Sequence, residues 1–254
     1  MEPGTLTSAE FRKSFPQQVT ALFEASEILR IHRGLADLYS AGLREKIRLI
    51  LSGKDGRPSP SEFDPSRDVG FELLIAARCR RAGFTVDITS RADIVVSAFG
   101  RNIYLECKRL KSPRKVRERI KEALKQLHAR YKFDSSTEDC RGLLTLSITD
   151  LVNPHHGLLP GQTPEAVSEA VEHHLDRFIV SQQKTWQKTQ DRRSIGVIVE
   201  LSAPTIVESE NLFTTCHYLG MNNLCSQETD DWDILVGIAK RLAEQIAQPN
   251  KREL

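Results

Sequence analysis

The run Ala92-Asp93-Ile94-Val95-Val96-Ser97-Ala98-Phe99-Gly100-Arg101-Asn102-Ile103-Tyr104-Leu105-Glu106-Cys107-Lys108 decides how the rest of the chain is read. Asp93 to Phe99 and Ile103 to Lys108 each read as a β-strand, and Gly100-Arg101-Asn102 between them has hairpin-turn chemistry. On the second strand Ile103, Leu105 and Cys107 fill one face, while Glu106 and Lys108, two residues apart, share the other. Asp93 opens the first strand, so its carboxylate can approach Glu106 across the hairpin. Two carboxylates that face each other repel, and the arrangement is costly unless a cation lies between them. A hard divalent ion such as Mg²⁺ or Mn²⁺, which takes oxygen ligands and retains waters, answers that need. Lys108 beside it is placed to hold a water or a phosphate oxygen.

Working upstream, Phe84 to Ile88 alternates as a strand, and residues 66–82 read as a helix stopped by Gly83, where a left-handed cap is favoured. Glu72 lies on that helix with Ile75, Ala76 and Cys79 at i+3, i+4 and i+7. Its carboxylate therefore projects from the apolar stripe toward the core, where charges are rarely left unpartnered. Residues 52–65 concentrate Ser, Gly, Pro and Asp, and mark a boundary. Before it, residues 8–51 read as mostly helical, with a break or restart at Pro16 and a capping box from Thr7 to Glu10. The apolar stripes are Phe15, Val19, Leu22 and Phe23, then Ile28, Leu29, Ile31 and Leu35, then Leu43, Ile47 and Leu51.

Downstream, an amphipathic helix is expected over 113–131, its stripe formed by Val116, Ile120, Ala123, Leu124, Leu127 and Tyr131. Strands follow at 143–148, 195–201 and 214–218, with helices over about 164–188 and 230–247. This order predicts an α/β fold, a mixed central sheet flanked by helices. Two regions are expected: an N-terminal helical extension over 1–52 and an α/β domain over 66–254.

The chain of 254 residues carries a net charge of only +2, but its charge is unevenly spread. Between Lys108 and Lys132 eleven Lys or Arg face only Glu118 and Glu122, a local charge of +9. A field of that sign steers a polyanion even when the whole molecule is nearly neutral. Five cysteines without CxxC spacing argue against a disulfide framework or a zinc knuckle; Cys79, Cys107 and Cys216 fall in apolar segments, as buried thiols do. No apolar run approaches membrane-spanning length, and Met1–Phe15 lacks a secretory apolar stretch; the expectation is a cytoplasmic protein without membrane contact. His155-His156 and His173-His174 lack the spacing of a metal-binding helix motif and are expected to be structural or surface residues. No Gly-rich phosphate loop or dinucleotide fingerprint is present.

The order Glu72 in a first helix, Ala92-Asp93-Ile94-Val95-Val96 in one strand, Glu106-Cys107-Lys108 in the next and then a helix resembles the PD-(D/E)xK nuclease superfamily. That family has a three-layer restriction-endonuclease-like core and includes Holliday junction resolvases and many repair and defence nucleases. The resemblance covers roughly residues 67–132. It implies that Asp93, Glu106 and the main-chain carbonyl of Cys107 ligate Mg²⁺ or Mn²⁺, that Lys108 is the catalytic lysine and that Glu72 is the acid of the first helix. Ala92 stands where the motif has its proline. Gln126 and Tyr131 are one residue too far apart for the Gln-x-x-x-Tyr subgroup, to which the chain is not assigned.

The expected activity is metal-dependent hydrolysis of phosphodiester bonds in nucleic acid, DNA before RNA. Arg109, Lys111, Arg114, Lys115, Arg117 and Lys121 would grip the phosphate backbone, which positions a substrate without reading its sequence. The alternative is a nucleic-acid-binding or assembly subunit of a repair or defence system, silent without a partner protein. A homodimer built partly from residues 1–52 is also expected, since many nucleases of this fold cut as two-fold dimers.

Overall fold

A computed structural model of the chain describes residues 8–53, 64–88, 92–131, 140–187 and 191–244, with the backbone alone for 8–13. The Thr7 cap, most of the 52–65 loop, Lys132 and residues 245–254 lie outside them. Seven helices, α1 (Ser8–Leu35), α2 (Ala41–Leu51), α3 (Pro65–Arg81), α4 (Val116–Tyr131), α5 (Thr149–Val152), α6 (Pro164–Gln187) and α7 (Asp230–Glu244), accompany seven strands among the described residues. The strands are β1 (Thr85–Asp87), β2 (Ile94–Ala98), β3 (Arg101–Arg109), β4 (Cys140–Ser147), β5 (Leu159–Gly161), β6 (Ser194–Val207) and β7 (Leu212–Asn223). They form one mixed sheet in the order β1-β2-β3-β4-β6-β5, with β7 paired to β6. β1, β2 and β3 are antiparallel neighbours, whereas β3, β4 and β6 run parallel.

Strand alternation supplies both faces of a three-layer α/β core. Ile103, Leu105, Cys107, Leu143, Ile195 and Ile198 pack with α3, α7 and the inner residues of α1 and α2. Leu144, Leu146, Val197, Val199 and Leu201 pack on the opposite side with α4 and α6. β6 is buried along nearly its whole length, as a strand covered by helices on both sides must be. Asp64 caps α3 by accepting from Arg67 N, and Pro65 occupies the first turn, a position where its missing N–H costs nothing. Gly83 takes a φ of +83° after α3, as the sequence indicates.

Several local expectations are corrected. The hairpin turn is Phe99-Gly100, both with positive φ, so Arg101 and Asn102 already belong to β3; two positive-φ residues are what a tight two-residue hairpin requires. α1 runs unbroken through Pro16, which lies on the exposed side, where the carbonyl left without a helical donor can be hydrated. Of its apolar residues Val19, Phe23, Ile31 and Leu35 are buried, whereas Leu22, Ile28 and Leu29 are exposed. On α2 the inward stripe is Leu43, Lys46 and Ile50, while Ile47 and Leu51 face outward. Among the described residues no helix is long and apolar enough to cross a membrane.

Candidate active site

The site begins where β3 outruns its partner. β2 starts at Ile94, opposite Leu105, so Glu106 to Arg109 extend beyond it on that edge. The N–H of Cys107 thus loses its place in the antiparallel ladder, and the Asp93 carboxylate accepts it at 2.8 Å. The carbonyl of a strand residue projects to the same side as its N–H, which puts the Cys107 carbonyl on the edge occupied by Asp93. The other edge of β3 stays paired with β4 through Arg109, so the overhang is rigid.

Glu106 lies on the α4 side of this strand and is only 1% exposed. Lys108 Nζ donates to Glu106 Oε1 at 2.9 Å, as their shared face predicts. Glu106 Oε2 is buried and finds no hydrogen-bond partner among the described residues. Burial, then the nearby Asp93 charge, raise the pKa of Glu106, with Lys108 opposing them. Burial pulls the Lys108 ammonium the other way, but the Glu106 charge and hydrogen bond outweigh it and hold its pKa above the ordinary value. An inaccessible anionic oxygen beside a second carboxylate is chemistry that suits a hard divalent cation. Two carboxylates and a carbonyl fit such an ion with waters filling its remaining positions; among the described residues no three His, Cys, Asp or Glu side chains form a preassembled cage.

Glu72 reaches the same place from α3, its side chain 16% exposed. Burial and then Asp93 raise its pKa, while Lys46 opposes them. Lys46 Nζ lies 2.5 Å from Glu72 Oε2 and 3.4 Å from the main-chain oxygen of Asp93. The four expected residues therefore form one electrostatic cluster, joined by a lysine absent from the sequence reading. Its signal was the Lys at i+3 from Leu43 on an inward stripe, the same kind of signal that marked Glu72. Arg130 of α4 also acts on Glu106, and its Nε is buried without a hydrogen-bond partner among the described residues.

The basic residues divide into two groups. Arg114 and Lys115, in a short 3₁₀ turn at 113–115, and Arg117 and Lys121 on α4 are exposed, because the expected apolar stripe of α4 is buried against the sheet. Arg109 instead bonds Asp150 at 2.6 Å and approaches Asp68 at 3.6 Å, and Lys111 pairs with Asp68 at 3.2 Å. His156, buried against Phe23, bonds Asp150 at 2.7 Å, a structural role. Cys79, Cys107 and Cys216 are buried free thiols.

A cavity of about 310 Å³ opens between α1, the start of α3 and the ends of β3 and β4, beside Phe23, Phe71, Arg109 and Asp150. None of Glu72, Asp93, Glu106 and Lys108 lines it. Compared with family models, curated proteins and solved structures, the chain finds no match. Its functional reading therefore rests on the residues and geometry of the site.

Proposed function

We propose that the protein is a metal-dependent nuclease that hydrolyses phosphodiester bonds of nucleic acid, with DNA its preferred substrate. The observation that carries this reading is Glu106, a buried carboxylate with one oxygen on Lys108 and the other unpartnered, under the charge of Asp93. Asp93, Glu106 and the Cys107 carbonyl would hold Mg²⁺ or Mn²⁺. Such an ion would supply an acidified water and offset charge on the phosphate.

Lys108, which donates to Glu106 at 2.9 Å, would orient the attacking water or donate to a phosphate oxygen. Asp93 is fixed by the Cys107 N–H, which donates to its Oδ2 at 2.8 Å. Glu72 adds negative charge from α3. Arg114, Lys115, Arg117 and Lys121 supply a positive approach for the phosphate backbone.

The deciding experiment incubates the purified protein with single- and double-stranded DNA and RNA in Mg²⁺, Mn²⁺ or EDTA. Cleavage that needs the ion and is lost in each of Asp93→Ala, Glu106→Ala and Lys108→Ala, with the fold retained by circular dichroism, is the expected result. Wild-type activity in any one of the three folded variants would defeat the site assignment. A folded wild-type protein that cuts nothing but binds nucleic acid would favour the binding-subunit alternative.

A further inference from the structure

The carboxylate cluster holds two lysines, and only Lys108 belongs to β3, the strand that carries Glu106. Lys46 comes from α2, whose start is fixed by Ser40 Oγ accepting from Leu43 N at 3.1 Å. Leu43 is buried, and Ile50 packs against the core cluster, so the helix face that carries Lys46 is turned inward. From there the ammonium bridges the Glu72 carboxylate and the main-chain oxygen of Asp93. It thereby ties α2, α3 and the start of β2 together at the edge of the site. A lysine placed on an inward stripe gives up hydration, and this one is compensated by charges that the site would hold anyway.

We propose that Lys46 is a positioning residue that sets the net charge of this site for one divalent cation and one phosphodiester together, an inference that rests on the nuclease reading above. Lys46 contacts Glu72 and the Asp93 main chain, and Lys108 contacts Glu106; with the Asp93 carboxylate counted beside them, three acids against two lysines make the fully ionised cluster −1. Arg130 adds a weaker positive influence at Glu106. A divalent ion takes the cluster to +1, and a phosphodiester, with its single negative charge, then brings it to zero. Without Lys46 the empty cluster would stand at −2. It would hold the ion more tightly but meet the phosphate with no remaining positive charge. Metal affinity and turnover are therefore expected to move in opposite directions, which loss of a merely structural contact would not produce.

The test uses the full chain and Lys46→Gln, which keeps a hydrogen-bond donor and removes the charge. Mn²⁺ alone is titrated by calorimetry, and cleavage of duplex DNA is measured separately at saturating Mn²⁺. Lys46→Gln is expected to bind Mn²⁺ roughly tenfold more tightly or better, since a unit charge in contact with Glu72 and the Asp93 main chain acts strongly at a partly buried site. Its cleavage rate should fall by a similar factor, and Lys46→Arg should return both toward wild type. Unchanged or weaker Mn²⁺ binding by folded Lys46→Gln overturns the proposal, and so does wild-type protein that binds no Mn²⁺.

Tighter binding by Lys46→Gln with no cleavage by wild type would support the charge role and defeat the nuclease reading. If Lys46→Gln does not fold, the pair Lys46→Met with Glu72→Met removes both charges of the ion pair and leaves the cluster at −1. That double variant must bind Mn²⁺ as wild type does; a change beyond a few-fold rejects the charge-setting role.

Discussion

The exposed basic surface formed by the turn at 113–115 and α4 gives the sharpest quantitative expectation. Arg114, Lys115, Arg117 and Lys121 are exposed, whereas Arg109 and Lys111 are drawn into ion pairs with Asp68 and Asp150. Of the six residues expected to grip the backbone, four are therefore available for phosphate contacts. Each contact on duplex DNA releases condensed counterions, so the slope of log affinity against log salt is expected near about −3.6, or about −0.9 per phosphate. Raising salt from about 50 to about 200 mM should then weaken binding about 150-fold. Arg114→Glu, Lys115→Glu and Arg117→Glu made together leave one contact, a slope of about −0.9 and a loss of about 3.5-fold over the same range. Binding is read by fluorescence anisotropy on duplexes of unrelated sequence, with Lys108→Ala in every protein so that cutting does not intervene. Arg109→Ala, as a control, should leave the slope unchanged. An unaltered affinity and slope in the triple reversal would mean that the basic face is only solvated surface and that substrate enters elsewhere.

Glu72→Gln should lower both cleavage and Mn²⁺ affinity, since it takes one negative charge from the cluster; a fully active variant with unchanged affinity would exclude Glu72 from the site. Asp64 carries a pH dependence of stability: burial pushes its pKa up, but hydrogen bonds from Arg67 and Ser66 more than reverse this and hold it below the ordinary value. Its contribution is therefore present above the unfolded carboxylate pKa of about 3.9 and lost as pH falls through the lower folded value. Asp64→Asn should cost about 1 kcal/mol near neutral pH and almost nothing in strong acid, as checked by denaturant unfolding across pH; a cost independent of pH would refute it. A homodimer through the N-terminal helices is expected from exposed Leu22, Leu29 and Leu51, with Leu22→Glu and Leu29→Glu together returning a monomer. A monomeric wild-type mass by light scattering at micromolar concentration, with and without DNA, would rule it out.

The strand pair that carries Asp93, Glu106 and Lys108 was legible because a period of two is hard to mistake when one face is wholly apolar and the other holds an acid and a lysine. α4 was legible for the matching reason at a period near 3.6. The α2 stripe was misread because Leu43, Ile47 and Leu51 recur at i+4, and hydrophobicity alone chose that row over Leu43, Lys46 and Ile50. Packing on α3 turned the helix by one position and brought a charged residue inward. The fate of Arg109 and Lys111 was not legible either. Their partners Asp68 and Asp150 lie far away in sequence, and no local pattern announces a long-range ion pair. The length of β6 and β7 was understated, since Pro204, Gly220 and several polar residues interrupt the apolar run while the two strands still pair from 196–207 to 212–223.

The loop at 52–65 has the composition of a linker, yet the helices before it belong to the same packed body as the sheet. Ile31, Leu35 and Leu43 share a hydrophobic cluster with α3, β2 and β3. α1 approaches α3 so closely that a Cβ on Gly34 would stand 2.5 Å from the Ala77 Cβ, a contact that only glycine permits without moving one of the helices. Polar composition does not mark where cooperative packing ends. For the candidate site the difference is consequential. Asp93, Glu106 and Lys108 come from the hairpin and Glu72 from α3, but the cation between Glu72 and Asp93 comes from α2. A fragment beginning after residue 65 would keep all four residues of the sequence motif while leaving Glu72 without its lysine and α3 without its covering helices. The motif and the electrostatic unit therefore have different boundaries, and the N-terminal helices lie inside the second.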